Sequence, residues 1–126
     1  LNIPKLLQIS ETNLTLTSLI HPLFQTALAP IALNDCDTYT LSFSLDCKRL
    51  IILFLQDNTP SFATATVCVD GIETCYLQSY SQFTSRYPYP ACVINNLELL
   101  HHTITLKLTG EDALKQFYLL GIAYCI

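Results

Sequence analysis

The sequence predicts an all-β protein, an antiparallel β-sandwich of jelly-roll type with about eight strands. Three observations carry that prediction. Ala65 to Tyr76 alternates apolar and polar residues into Asp70-Gly71 and out again, which is how a hairpin is written, because Asp-Gly accepts positive φ at both central positions of a type I′ turn. Tyr39 to Leu45 and His102 to Thr109 alternate with period two, as half-buried strands do. Turn-forming residues punctuate the chain, and no alternation of strand and helix patterns suggests a parallel sheet.

Taken in order, Asn13 to Thr17 is a weak strand candidate and Tyr39 to Leu45 a strong one. Asp46, with Cys47 and Lys48, reads as a turn. Leu50 to Leu55 is apolar on both faces, short, and stopped by Gln56-Asp57-Asn58-Thr59-Pro60, so it is expected as a central strand covered on both sides. In the hairpin, Val69 is placed opposite Ile72 and Val67 opposite Thr74, which sends Cys68, Glu73 and Cys75 to the outer face. Ala91 to Ile94 and Phe117 to Tyr124 are further strand candidates, and Glu111 to Gln116 suits a helical turn by propensity. The expected core is Leu41, Phe43, Leu45, Ile52, Phe54, Val67, Val69, Ile104, Leu106 and Leu108.

At 126 residues with 51% hydrophobic content, residues 1–126 are expected to form one domain with a real core. No linker, repeat or low-complexity segment divides them. The chain lacks Met altogether, which suggests a trimmed or excised product. No apolar run reaches the roughly 18 residues of a membrane span and no charged-then-apolar leader is visible, so no compartment is assigned. The net charge of −4 with six Lys and Arg argues against nucleic-acid and anionic-membrane partners, since phosphate neutralisation needs a basic stripe. Lys48-Arg49, the one adjacent basic pair, reads as a solvated strand start.

Six cysteines are many for this length, yet none has the Cys-x-x-Cys spacing of zinc or redox sites. A domain with an ample core does not need staples, so free thiols are expected over a disulfide framework, as in a reducing compartment or an anaerobe. Asn13-Leu14-Thr15 matches a glycosylation sequon, a triplet common by chance. No Gly-x-Ser-x-Gly elbow, phosphate-binding glycine loop or His-Glu-x-x-His is present. His101-His102 is the one cluster suggestive of chemistry, but adjacent strand residues point to opposite faces and cannot converge on one metal or nucleophile without a bulge. Both are expected to begin a strand and bond loop backbone. Asp35 and Asp37 flank Cys36 without a third convergent ligand nearby. No catalytic residue, metal or cofactor is assigned.

What remains is a surface. Tyr76, Tyr80, Phe83, Tyr87 and Tyr89 crowd the segment from Cys75 to Pro90, interleaved with Gln, Ser and Arg86, and such residues grip sugars or protein partners with flat faces and polar tips. Pro88 and Pro90 restrict the backbone around Tyr87 and Tyr89. The loop either folds back as a lid on the core or stands out as a recognition surface. In the second case Tyr80, Arg86, Tyr87 and Tyr89 are the expected ligand-binding set, while Tyr76 is expected to pack inward.

Thr40 to Cys47, Leu50 to Leu53, Ala63 to Gly71, His102 to Leu106 and the closing Leu119-Leu120-Gly121-Ile122-Ala123-Tyr124 together resemble the non-catalytic β-sandwich domain attached to bacterial SGNH/GDSL-type hydrolases and carbohydrate esterases. The resemblance covers residues 39–126 well and residues 1–38 poorly. It implies a jelly-roll accessory module that binds glycan or braces a neighbouring SGNH-type catalytic domain. The hydrolases' Gly-Asp-Ser block and late Asp-x-x-His pair have no counterpart here, so no catalytic residue is carried over. Tyr87-Pro88-Tyr89-Pro90 stands where similar domains carry a Gly- and Trp-containing loop. The competing class is a structural protein–protein interaction domain with no glycan ligand.

Overall fold

The computed structural model describes residues 5–6 and 31–125. Its strands are β1 (Lys5–Leu6), β2 (Ile31–Ala32), β3 (Thr40–Gln56), β4 (Thr64–Val69), β5 (Ile72–Gln78), β6 (Tyr87–Lys107) and β7 (Tyr118–Cys125). They lie in the order β1-β7-β3-β6-β4-β5, with β2 also on β7, and every ladder is antiparallel. The fold is therefore the all-β antiparallel sandwich expected from the alternation. The weak candidate Asn13 to Thr17 lies outside the described residues.

The long ribbon of β3 and β6 organises the sandwich. The first half of β3, through Cys47, pairs with the second half of β6, whose far edge takes β4 and then β5. Beyond register shifts at Cys47/Arg49 and Leu50/Ile51, β3 pairs with Tyr87 to Asn95 on one side and with β7 on the other. Bulges of this kind bend and twist a strand. Here they let Leu41, Phe43 and Leu45 from one half share a core with Leu50, Ile52 and Phe54 from the other. Asp46, expected at a turn, instead sits inside a continuous strand, because the bulge next to it turns the chain without ending the ladder.

Alternation decides the faces. Along β3, Leu41, Phe43, Leu45 and Cys47 are buried while Ser42, Ser44 and Asp46 are exposed, and the outer residues meet partners across the ladder. Ser42 and Thr105 share a hydroxyl hydrogen bond of 2.8 Å, as do Ser44 and Thr103 at 2.9 Å, the cross-strand pairing typical of a solvated sheet face. Leu50 to Leu55 forms a central strand as expected, but its second face is only partly covered, with Ile51 and Leu53 half-buried. Ile52 and Phe54 join the main core, while Leu55 enters a second cluster with Phe62 and Leu120.

The hairpin turns at Asp70-Gly71, where both residues have positive φ of 53° and 80°, and Val69 lies opposite Ile72 as expected. A bulge between Val67 and Cys68 then places Val67 opposite Cys75, not Thr74. That one-residue shift reverses the faces beyond it. Cys75 packs against the core while Tyr76 stands out at 62% exposure, so the outward Cys75 and inward Tyr76 expected from a regular ladder are both corrected. Val69, near the tip, is only partly buried, whereas the other nine expected core residues are buried. All six cysteines are free thiols, and burial raises the pKa of Cys36, Cys47 and Cys75. Glu111 to Gln116 contributes to a 3-10 turn over Gly110–Leu114. No helix of the described residues is long and apolar enough to cross a membrane.

Candidate functional site

β5 ends the sheet path, and the first half of β6 is laddered only to β3. Between them an open cleft of about 420 Å³ is lined by Cys75 to Gln78 on β5, Tyr89 to Val93 on β6, and Phe54 and Gln56 on β3. No ladder joins β5 to β6 among the described residues. Pro88 and Pro90 have no N–H to offer a further strand, which blunts this edge against pairing.

Tyr89 is backed by buried rings, and Tyr76 and Gln56 are held by hydrogen bonds. The Tyr89 ring lies 5.4 Å from that of buried Phe54, which in turn stacks on Phe117 at 5.4 Å and 24°. Tyr87, two residues away on the same face, meets Tyr89 edge-on with centroids 6.4 Å apart. The Tyr76 hydroxyl donates to the Glu73 carboxylate, and this bond to an anion raises the phenol pKa. Gln56 Nε2 donates to the Gln78 carbonyl at 3.1 Å, tying the end of β3 to β5. The cleft thus presents two tyrosine rings and two primary amides, groups that together offer flat apolar faces, donors and acceptors.

The four residues singled out by sequence do not all meet here. Tyr89 lines the cleft and Tyr87 adjoins it through the edge-on contact. Tyr80 is half-buried against the cluster of Leu55, Phe62 and Leu120, beside a bridge to Asp57. Arg86 occupies the turn before β6 with φ of 48°, its backbone N–H donating to Asp57 Oδ1 at 2.9 Å. Sequence reasoning missed Tyr76, Gln56 and Gln78. The period-two face Thr74, Tyr76, Gln78 was available as a signal, but the faces were counted from the turn through an unseen bulge.

The histidines are bound by carboxylates, not by the loop backbone expected. His101 Nδ1 lies 2.6 Å from Asp46 Oδ1 on the outer face. His102, on the opposite face and buried, has Nδ1 2.7 Å from Asp70 Oδ2 and Nε2 3.2 Å from Asn96 Nδ2. An ionised carboxylate only accepts, so Nδ1 carries the proton and Nε2 accepts from the Asn96 amide. The nitrogen that a general base would use therefore faces an amide, with no hydroxyl or thiol as its hydrogen-bond partner.

Asp70 also accepts from the Thr103 N–H at 2.9 Å, and that bond followed by the one from His102 lowers its pKa below the ordinary 3.8. Asp57 is lowered likewise, first by the Thr59 hydroxyl and also by the Arg86 N–H. A carboxylate depressed in the folded state contributes stability that is present above its unfolded pKa and lost as pH falls through the folded one. The melting temperature should therefore decline as pH drops below about 4, and less steeply in Asp70→Asn. Thermal melts between neutral and acid pH check this, and parallel profiles would count against the assigned role of Asp70.

No family model and no curated protein was found to match this chain. Among solved structures, its fold is similar to the CBM36-1 domain of a multidomain xylanase from the hindgut metagenome of Trinervitermes trinervoides, with a TM-score of 0.58 and 14% identity over 96% of this chain and 95% of that one. It is also similar to a carbohydrate-binding module CBM36 in complex with calcium and xylotriose, with a TM-score of 0.54 and 14% identity over 100% and 99% of the two chains. A two-domain esterase active on acetylated mannans, co-crystallised with mannopentaose, matches 68% of this chain with 25% of its own length, at 14% identity and a TM-score of 0.53. The fold is a β-sandwich similar to those of these structures.

Among the described residues no three of His, Cys, Asp and Glu are grouped to hold a metal ion. Asp57 and Asp70 are occupied by N–H, O–H and imidazole donors. Asp35 and Asp37 are exposed in successive 3-10 turns.

Proposed function

We propose that this chain is a non-catalytic carbohydrate-binding module that holds glycan in the cleft between β5 and β6. The observation that carries the reading is the convergence of Tyr76, Tyr89, Gln56 and Gln78 on one open cleft whose shape is fixed by strands. Sugar rings present C–H faces to the tyrosines and hydroxyls to the amides, and the Tyr89 ring, backed by Phe54, loses little entropy on binding. Tyr87 extends the aromatic wall, while Tyr80 and Arg86 support the turn that delivers β6 to the cleft. The sandwich shared with carbohydrate-binding modules supports the same reading. No metal is assigned a part in it.

Retardation in gels containing soluble xylan or mannan tests it. The parent should be retarded in affinity electrophoresis, and Tyr76→Ala with Tyr89→Ala should abolish retardation while the far-UV spectrum stays that of a β protein. Retardation unchanged in the double variant would refute the cleft as the site. We further place the module beside an SGNH-type esterase domain, which the full open reading frame tests directly. The alternative, a structural domain contacting a protein, draws support from Leu97, Leu99 and Leu100, which are exposed where β6 bulges between Asn95 and Leu100.

A further inference from the structure

The cleft does not stop at Val93. A second groove, of about 300 Å³, begins at that residue and is lined by Ile72 and Thr74 on β5 and by Asn95, Asn96 and His102 on β6. On each strand the lining residues follow on from those of the first cleft. β5 runs from Ile72 toward Gln78 as β6 runs from Asn96 back toward Tyr89, so the two hollows are consecutive stretches of one gap between antiparallel edges. From Tyr89 to Asn95 an extended strand spans on the order of 20 Å.

The far stretch is built differently from the near one. Its walls are aliphatic, through Val69, Ile72 and Ile94, and its polar end is organised by a chain of hydrogen bonds from Asp70 through His102 to Asn96. Asp70 fixes the imidazole tautomer, and His102 then accepts one N–H of the Asn96 amide. This leaves the amide oxygen and its second N–H for a ligand. Asn95 is oriented too, accepting from Arg49 Nε at 3.4 Å. The side chain of His102 is only 10% exposed, so the relay serves as a rigid backing for Asn96.

We infer that the gap is one extended groove with two subsites, an aromatic one at Tyr76 and Tyr89 and an amide one at Asn96, and that its ligand is the interior of a linear polysaccharide chain. This rests on the glycan reading above. A terminal sugar would fill one hollow and leave the other, whereas a chain lying along both strands uses the two together. His102 and Asp70 act as positioning residues for Asn96.

The test is a binding series with xylo- and manno-oligosaccharides from disaccharide to hexasaccharide, followed by calorimetry on the full chain. For the parent, affinity should rise by at least about tenfold between trisaccharide and hexasaccharide. Asn96→Ala and, separately, Thr74→Ala should flatten that rise while leaving trisaccharide affinity near the parent value. Both positions are exposed, and thermal melts identify any variant that fails to fold. Tyr89→Ala should weaken every length. Binding that depends on Tyr89 but keeps the parental length dependence in both Asn96→Ala and Thr74→Ala overturns the extended groove alone. Binding of no oligosaccharide, or binding indifferent to Tyr89, overturns the glycan reading and this inference with it.

Discussion

Val67→Asp unfolds the domain, whereas Val69→Asp leaves it folded. Val67 is 0% exposed, opposite Cys75 on one side and Leu106 on the other. Packed in the main core, a carboxylate there loses its hydration with no cation to meet it, which costs several kcal/mol against a typical total stability of roughly 5–15 kcal/mol. Val69 sits near the turn and is only half-buried, so its substituted side chain reaches water and the expected loss is on the order of 1 kcal/mol. Urea unfolding of both variants measures the contrast. A cooperative transition for Val67→Asp at the parental midpoint would show that the hairpin does not close this core.

Phe54→Ala lowers stability by about 3–5 kcal/mol, the usual cost of deleting a fully buried ring, and lowers the melting temperature by roughly 10–20 °C in a domain of this size. Phe54 is 2% exposed and touches two rings, Phe117 behind it and Tyr89 before it. It also lines the cleft. The same residue therefore holds the two halves of the sandwich together and backs the ring assigned to the ligand. Phe54→Leu separates these roles, since it keeps most of the buried volume but removes the aromatic contact with Tyr89. Its melting temperature should fall modestly while retention on polysaccharide weakens clearly. Full retention in Phe54→Leu would mean that Tyr89 needs no aromatic backing.

Strand identity was written locally. Thr40 to Leu45 and His102 to Lys107 of the period-two runs, the strand Leu50 to Leu55 and the Asp70-Gly71 turn formed as their residues dictate, because side-chain alternation and positive-φ tolerance are properties of a few neighbouring residues. Tyr39 turned into a 3-10 segment, and Leu108 and Thr109 fell past the end of β6. Nine of the ten expected core positions follow from the same rule. The aromatic content of the segment leading to Pro90 was equally plain, and Tyr89 was among the residues named from it.

Where that segment goes was not local. A one-residue bulge between Val67 and Cys68 reversed the faces of β5, turning Tyr76 out and Cys75 in, and nothing in the adjoining residues distinguishes a bulged hairpin from a regular one. The shifts at Cys47/Arg49 and Leu50/Ile51 carried β3 through Asp46 and bent the ribbon, which sets the first half of β6 across a gap from β5. Gln56 and Gln78 thereby reach the same cleft as Tyr89, and Asp70 reaches His102 across 32 positions of sequence. Alternation says which side of its own strand a residue occupies. Only the paired and bent sheet decides which strands face each other, because register is fixed by the total burial of both halves and by bulges that any single strand would tolerate.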